Sequence, residues 1–255
     1  MTSPKKRQRE RSAWITNRDN TLFQYLFEKK AATVRQAHRD IFEGCKASTA
    51  SHRLLRLYKS GYLSRKAMNP QNFAGYAYEL KPSALESLTS EYPYCIDQPR
   101  LKSDSVSHDL ELVDIDRKLF ALPCMEDIYT ENMLLCCSEF EEIKPLAEFR
   151  RLRSDRGLVV RLGDRIRYFA LEFEQSAKSK ARYRSKFKDY YDTRHIAGVL
   201  YVCSTGRLKK SLREIDERLR AHSGPPFYFA DAKEFFRDER KAIFTSFSGA
   251  KIELA

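Results

Sequence analysis

The sequence predicts an α/β (α+β) fold in two parts: a helical N-terminal third with a two-stranded wing, then a larger mixed-sheet domain. Three observations carry this. Three short amphipathic patterns and two short strand patterns follow one another between residues 17 and 80. Beyond residue 107 the patterns run α-β-β-β-α-β-α-β. The run 199–203 is apolar without alternation, as fits a central strand covered on both faces.

Composition bounds the function. At 255 residues, 42% hydrophobic and 12% aromatic, the chain is long enough for one large or two modest cores and is not of a disordered type. The net charge of +12 is unevenly placed: residues 1–90 hold 17 Lys and Arg against 7 Asp and Glu, and the remainder 30 against 28. A basic third of this kind is the electrostatic footprint expected for nucleic acid. An anionic membrane would attract the same charge, but no amphipathic anchor or lipidation signal accompanies it. No run approaches the ~20 apolar residues of a membrane span. The N-terminal charge has no apolar core behind it, so a cytoplasmic protein without a signal peptide is expected. Six cysteines (Cys45, Cys95, Cys124, Cys136, Cys137, Cys203) lack zinc-ligand spacing and are expected to be buried free thiols.

Residues 1–16 read as a flexible basic tail that either contacts phosphates or merely solubilises. From Asn17 a first helix places Leu22, Tyr25, Leu26 and Lys29 on one stripe. Thr33 can cap a second helix through Ile41 and Phe42, which Gly44 breaks. A third helix runs from Ser48 to Tyr58, with Gly61 at its C-cap. Its Ala50, Leu54, Leu57 and Tyr58 point inward, whereas Thr49, Ser51, His52, Arg53 and Arg56 mostly face away. Two strands, 62–65 and 76–80, flank a loop containing Asn69, Pro70 and Gly75, and a last helix begins near Pro82. Three helices, a basic third helix and a wing make a winged helix over residues 17–90. The third helix of such a domain enters the major groove while the wing touches the backbone. Thr49, Ser51, His52, Arg53 and Arg56, with Arg65 and Lys66 of the wing, are therefore the candidate DNA-binding residues. The alternative is a winged helix used for protein contact.

Residues 91–106, with Pro93, Pro99 and several Ser, read as a linker to a domain over 107–255. That domain opens with a helix over 107–120 and an expected strand near 133–137, which would hold Cys136 and Cys137. Its centre is the stretch 149–192. Asp155 precedes the apolar run 158–162, and the tetrad Gly163-Asp164-Arg165-Ile166 looks like a hairpin turn. In the second strand Tyr168, Ala170, Glu172 and Glu174 share one parity and Phe169, Leu171 and Phe173 the other, so both carboxylates lie on one face. A basic helix follows, with Tyr183, Phe187, Tyr190 and Tyr191 at apolar spacing. Lys178, Arg182 and Lys186 form one basic ridge on it, and Lys180, Arg184 and Lys188 another. A strand at 198–203, a helix at 208–219 and a strand at 227–230 complete the pattern. Three acids beside a basic helix suit a Mg²⁺ (or Mn²⁺) site next to a phosphate backbone, because Mg²⁺ takes one or two protein carboxylates and leaves the rest to water and phosphate. The alternative is an edge hairpin whose Glu172 and Glu174 face solvent and pair with nearby Arg side chains.

The N-terminal pattern, the Ser107-His108-Asp109 helix start and the Ala170-Leu171-Glu172-Phe173-Glu174 strand before a Lys/Arg/Tyr helix resemble the replication-relaxation family, to which the C-class plasmid mobilisation relaxases look related. The resemblance covers about residues 17–230. It implies a winged helix joined to a PD-(D/E)xK nuclease-like domain and a role at a plasmid or mobile-element origin of transfer or replication. Residue by residue, Ser154-Asp155 looks like the Pro-Asp element and Glu172-Phe173-Glu174 like the (D/E)-x-K element, with Glu111 an extra acid on the preceding helix. Ser154 stands for Pro and Glu174 for Lys; Lys178 or Lys180 can supply the missing cation from the following helix. The implied chemistry is metal-assisted phosphodiester cleavage, with Asp155 and Glu172 as metal ligands, Glu174 orienting or deprotonating water, and a Lys neutralising developing charge. A tyrosine-linked nicking reaction through Tyr183, Tyr190 or Tyr191 competes with it. His108 is a candidate acid/base or ligand, set against a helix-start histidine satisfied locally. The expected partner is double-stranded DNA at a specific site. In the non-enzymatic alternative the nuclease-like domain dimerises or docks other transfer or replication proteins.

Overall fold

The computed structural model describes residues 13–69, 75–219 and 224–255. The chain divides into two compact units, residues 1–93 with 100–110, and residues 94–99 with 111–255. Most of the expected basic tail, the part of the wing loop at 70–74, and residues 220–223 lie outside the described residues.

In the first unit α1 (Asn17–Lys29) is capped at Thr16, whose N–H donates to Asp19 Oδ2 at 2.8 Å. Ala13 is buried as well, so residues 13–16 pack with the domain instead of extending the tail. A two-residue β1 (Ala32–Thr33) leads into α2 (Val34–Asp40), and Thr33 with Gln36 forms the capping box. After Gly44, at φ +78°, come α3 (Ala47–Lys59), β2 (Leu63–Ala67) and β3 (Tyr76–Leu80), then a 3₁₀ turn at Pro82–Ala84 and α4 (Leu85–Thr89). The strands form an antiparallel sheet in the order β1-β3-β2, so the two-stranded wing of the sequence gains a short third member. Leu22, Phe23, Leu26 and Phe27 of α1 are fully buried, as are Ala50, Leu54 and Leu57 of α3. Each large apolar side chain so buried contributes about 1.5–3 kcal/mol.

The second unit is built on a seven-stranded mixed sheet, and α5 (Val106–Phe120) enters it from residue 111 onward. The expected strand near 133–137 is a helix. The strand is β4 (Met125–Thr130), and α6 (Glu131–Cys136) follows directly. Thr130 decides this locally: its side chain accepts the Met133 N–H, a helix N-cap, and Asn132, Met133, Leu134 and Cys136 then turn inward. The linker segment is also more than a tether, since Ile96 forms an antiparallel bridge with Cys137. Residues 138–141 form a 3₁₀ turn, and α7 (Lys144–Leu152) precedes the hairpin β5 (Arg156–Leu162) and β6 (Arg165–Glu174). The turn is the two residues Gly163-Asp164, with Gly163 at φ +58°, because Leu162 already pairs with Arg165. Next come α8 (Lys180–Tyr191), β7 (Gly198–Cys203), α9 (Gly206–Leu219), β8 (Phe227–Asp231), α10 (Ala232–Phe236), β9 (Ala242–Thr245) and β10 (Lys251–Leu254).

The sheet order is β10-β9-β8-β7-β6-β5-β4, with β6, β7 and β8 parallel and the flanking pairs antiparallel. Alternation divides its two faces. Phe169, Leu171, Phe173, Leu200 and Val202 join Leu112, Ile115 and Leu119 of α5 in one core cluster. On the other face Phe187 and Tyr190 of α8 stack against Tyr201, Phe227 and Phe229. All six cysteines are free; Cys136, Cys137 and Cys203 are buried, but Cys95 is exposed, against the expectation of burial throughout.

Candidate functional site

The hairpin brings the acids together. Asp155 stands just before β5, and its Oδ2 accepts the Phe173 N–H at 2.7 Å, between the two glutamates of β6. Glu172 and Glu174 share the face that α8 covers and are only 6% and 4% exposed. The solvent-facing edge hairpin is therefore not what forms: β6 lies inside the sheet, and the partners of its glutamates come from the following helix and the loop just before it.

Those partners are a cation and a phenol for each acid. Glu172 Oε1 is 3.1 Å from Lys186 Nζ and accepts a hydrogen bond from the Tyr190 hydroxyl, which also lies 2.8 Å from Ser154 Oγ. Lys186 further donates to the Leu152 carbonyl at 2.8 Å, at the C-terminal end of α7 where carbonyls point outward. Glu174 accepts from Lys178 Nζ at 2.8 Å and from the Tyr183 hydroxyl at 3.3 Å. Burial pushes the Glu172 carboxyl up to about 7; Lys186 opposes that rise, and the nearby Asp155 charge adds to it. Above this pair of acids opens a cleft of about 230 Å³, lined by Glu172, Glu174, Lys178, Arg182, Ser185 and Lys186, with Tyr183 and Asp189 beside them.

Lys180, Glu111 and His108 fall outside this set. Lys180, the first residue of α8, is exposed and is not among the cleft residues. Glu111 accepts from Gln175 Nε2 at 2.8 Å and does not line the cleft. His108 belongs to the first unit, with Nδ1 3.7 Å from Asp109 Oδ1. The three tyrosines are each engaged: Tyr190 is fully buried against Glu172, Tyr191 donates to Asp216, and burial pushes Tyr183 up to about 12. A nucleophile must reach its target and be activated by a base, a lowered pKa or a metal, so the full burial of Tyr190 and the raised Tyr183 phenol weigh against tyrosine attack. Lys186, of the first basic ridge, supplies the cation beside Glu172 and lines the cleft. The part that Tyr190 and Ser154 play in holding Glu172 is not legible in the sequence, where the helical core spacing of Tyr190 is the one signal bearing on it.

Among the described residues no group of three or more His, Cys, Asp or Glu side chains is placed to hold a metal ion. Asp155 and Glu172 are two carboxylates, the number Mg²⁺ usually takes from protein; Glu172 lines the cleft, whereas Asp155 is not among the cleft residues and accepts the Phe173 N–H.

In the first unit α3 presents Thr49, His52 and Arg56 exposed, with Ser51 half-buried. Arg53 is committed within the protein. Its Nε donates to Asp19 Oδ1 at 2.7 Å, and a second amino group donates both to Asp19 Oδ2 and to the Trp14 carbonyl, the latter at 2.7 Å. Burial acts to raise the Asp19 carboxyl, but hydrogen bonds from Arg53 and Thr16 prevail and hold it below its ordinary value. On β2 the Arg65 guanidinium lies 4.4 Å from the ring centres of both Tyr58 and Tyr76, and Lys66 is exposed.

A family model described as replication-relaxation matches residues 23–200, well over half of the chain. No curated protein and no solved structure matches it. Among the described residues no helix is long and apolar enough to cross a membrane.

Proposed function

We propose that this chain, which belongs to the replication-relaxation family, is a DNA-processing protein of a plasmid or mobile element that binds an origin through a winged helix and cleaves one strand at a PD-(D/E)xK-like cleft. The observation that carries the reading is that Asp155 accepts the Phe173 N–H, next in the strand to Glu172, which lines a cleft with Lys178, Arg182 and Lys186. A divalent cation on these two carboxylates would polarise the scissile phosphate and supply hydroxide from a bound water. The chain's own residues do the rest. Lys186 sits against Glu172 and is the cation closest to where charge develops; Lys178 and Arg182 at the cleft rim meet the flanking phosphates. Tyr190 and Ser154 hold Glu172 in one orientation.

The helix order, the three-stranded sheet and the exposed basic side of α3 support the winged-helix reading of the first unit. Arg53 drops out of the reading set because Asp19 holds it; Thr49, His52 and Arg56 remain. Arg56→Ala with His52→Ala should lower duplex affinity at least tenfold without changing the melting temperature, an Arg on guanine being worth ~1–3 kcal/mol. Arg53→Ala should instead destabilise the fold by about 2–3 kcal/mol, below the value for a wholly buried pair because Arg53 keeps some solvent. A gel-shift titration with melting curves separates the two; unchanged affinity in the first variant removes α3 as the reader.

One observation favours a second reading, a non-catalytic regulator or replication accessory on the same scaffold: Glu172 and Glu174 are each already met by a lysine and a tyrosine. Cleavage assays decide between the two.

A further inference from the structure

The single tryptophan of the chain is placed where a core residue would not be. Trp14 is 83% exposed, yet its backbone is fixed to α3 on both sides. Arg53 donates to the Trp14 carbonyl at 2.7 Å, and the preceding Ala13 N–H donates to Ser60 Oγ at 3.2 Å. Ala13 itself is buried. The root of the indole is therefore anchored while its ring stands in solvent. A soluble domain gains nothing in stability from a ring held this way, since exposed apolar area is not removed from water.

Its position on α3 gives it a direction. At 100° per residue, Arg53 and Ser60, seven residues apart, lie on one flank of the helix. The neighbouring stripe on the exposed side holds Thr49 and Arg56, and beyond it His52 and Lys59, all four exposed. The surroundings are polar and basic. Among the described residues of the first unit Tyr76, on the wing, is the other large exposed hydrophobic side chain, so no apolar patch of the size a protein partner requires surrounds the indole. Just upstream, residues 5–11 carry five Lys and Arg and one Glu. An aromatic ring beside a cationic strip is the combination that binds nucleic acid by stacking on a base while the cations follow the phosphates.

We propose that Trp14 is a DNA-stacking residue of the α3 surface: its indole packs on an unpaired base of a single-stranded segment that adjoins the site Thr49, His52 and Arg56 face. This rests on the reading of the first unit as the DNA-binding part. Stacking is uncharged, so Trp14 should add affinity without adding to the salt dependence, unlike Arg56.

Because the chain has one tryptophan, its fluorescence reports this residue alone. The full-length protein should be titrated at low salt with an unlabelled mixed-sequence duplex carrying a single-stranded overhang, in parallel with anisotropy of the same DNA carrying a dye. Wild-type fluorescence should be quenched as the anisotropy saturates. Trp14→Ala should bind on the order of tenfold more weakly with an unchanged log–log salt slope, and Trp14→Phe should recover part of the loss. Among the described residues Trp14 is held through its backbone carbonyl, which the substitution keeps, so melting temperatures should stay equal. Saturated anisotropy with unchanged fluorescence, or Trp14→Ala affinity within twofold of wild type, overturns the stacking role and leaves DNA binding standing. Absence of any anisotropy change in wild type overturns the DNA-binding reading and the stacking role with it.

Discussion

Glu172 is a residue the fold would be more stable without. Its carboxyl titrates at about 7 because burial disfavours the charged form more than Lys186 supports it. Between an ordinary unfolded value of ~4.5 and about 7, the folded state binds more protons than the unfolded one, so stability falls as pH rises through that window. Glu172→Gln removes the penalty while keeping the shape. The variant should match wild type near pH 5 and exceed it by about 1–3 kcal/mol near pH 8, as measured by urea unfolding at each pH. Parallel curves for the two proteins would show that Glu172 is not the strained group. The sequence discloses this residue in part. A period of two puts Glu172 and Glu174 on one face, but whether that face meets water or a helix depends on the position of β6 in the sheet. That position follows from the parallel pairing with β7, a non-local contact. Arg53 is the converse case. Exposed by helical periodicity, it is captured by Asp19, thirty-four residues away, a partner that local pattern cannot supply.

At the scale of elements, those with strong periodicity or a capping signal are legible in the sequence: α1, α3, the hairpin β5–β6, and β7. The segment 133–137 is not, because a short apolar run can be strand or buried helix, and Thr130 as N-cap decides for the helix. β1 has two residues and no pattern to detect, and β9 and β10 are four-residue strands too short to carry a clear alternation. In α8 the buried stripe of Tyr183, Phe187 and Tyr190 forms as expected, but its two basic ridges are not equivalent. Lys178 and Lys186 are tied to the glutamates, whereas Lys180, Arg184 and Lys188 are all exposed. If α8 tracks phosphates, the exposed ridge is the part that does so. Its replacement by Gln should make the log–log salt slope shallower by about 0.9 for each duplex phosphate that the ridge neutralises. A slope that does not move would make this ridge a solvated face.

Over the whole molecule, the charge and the acids are separated along the chain. Residues 1–90 carry a net +10, while Asp155, Glu172 and Glu174 belong to the second unit. Binding and cleavage should accordingly be separable by substitution. The most direct test uses supercoiled DNA of the replicon that encodes the protein, incubated with full-length protein and Mg²⁺ or Mn²⁺. Wild type should convert it to nicked circles, and Asp155→Asn or Glu172→Gln should abolish nicking while gel-shift affinity stays within about twofold of wild type. Failure of wild type to nick with either metal, or nicking by Glu172→Gln at the wild-type rate, would contradict cleavage at this cleft.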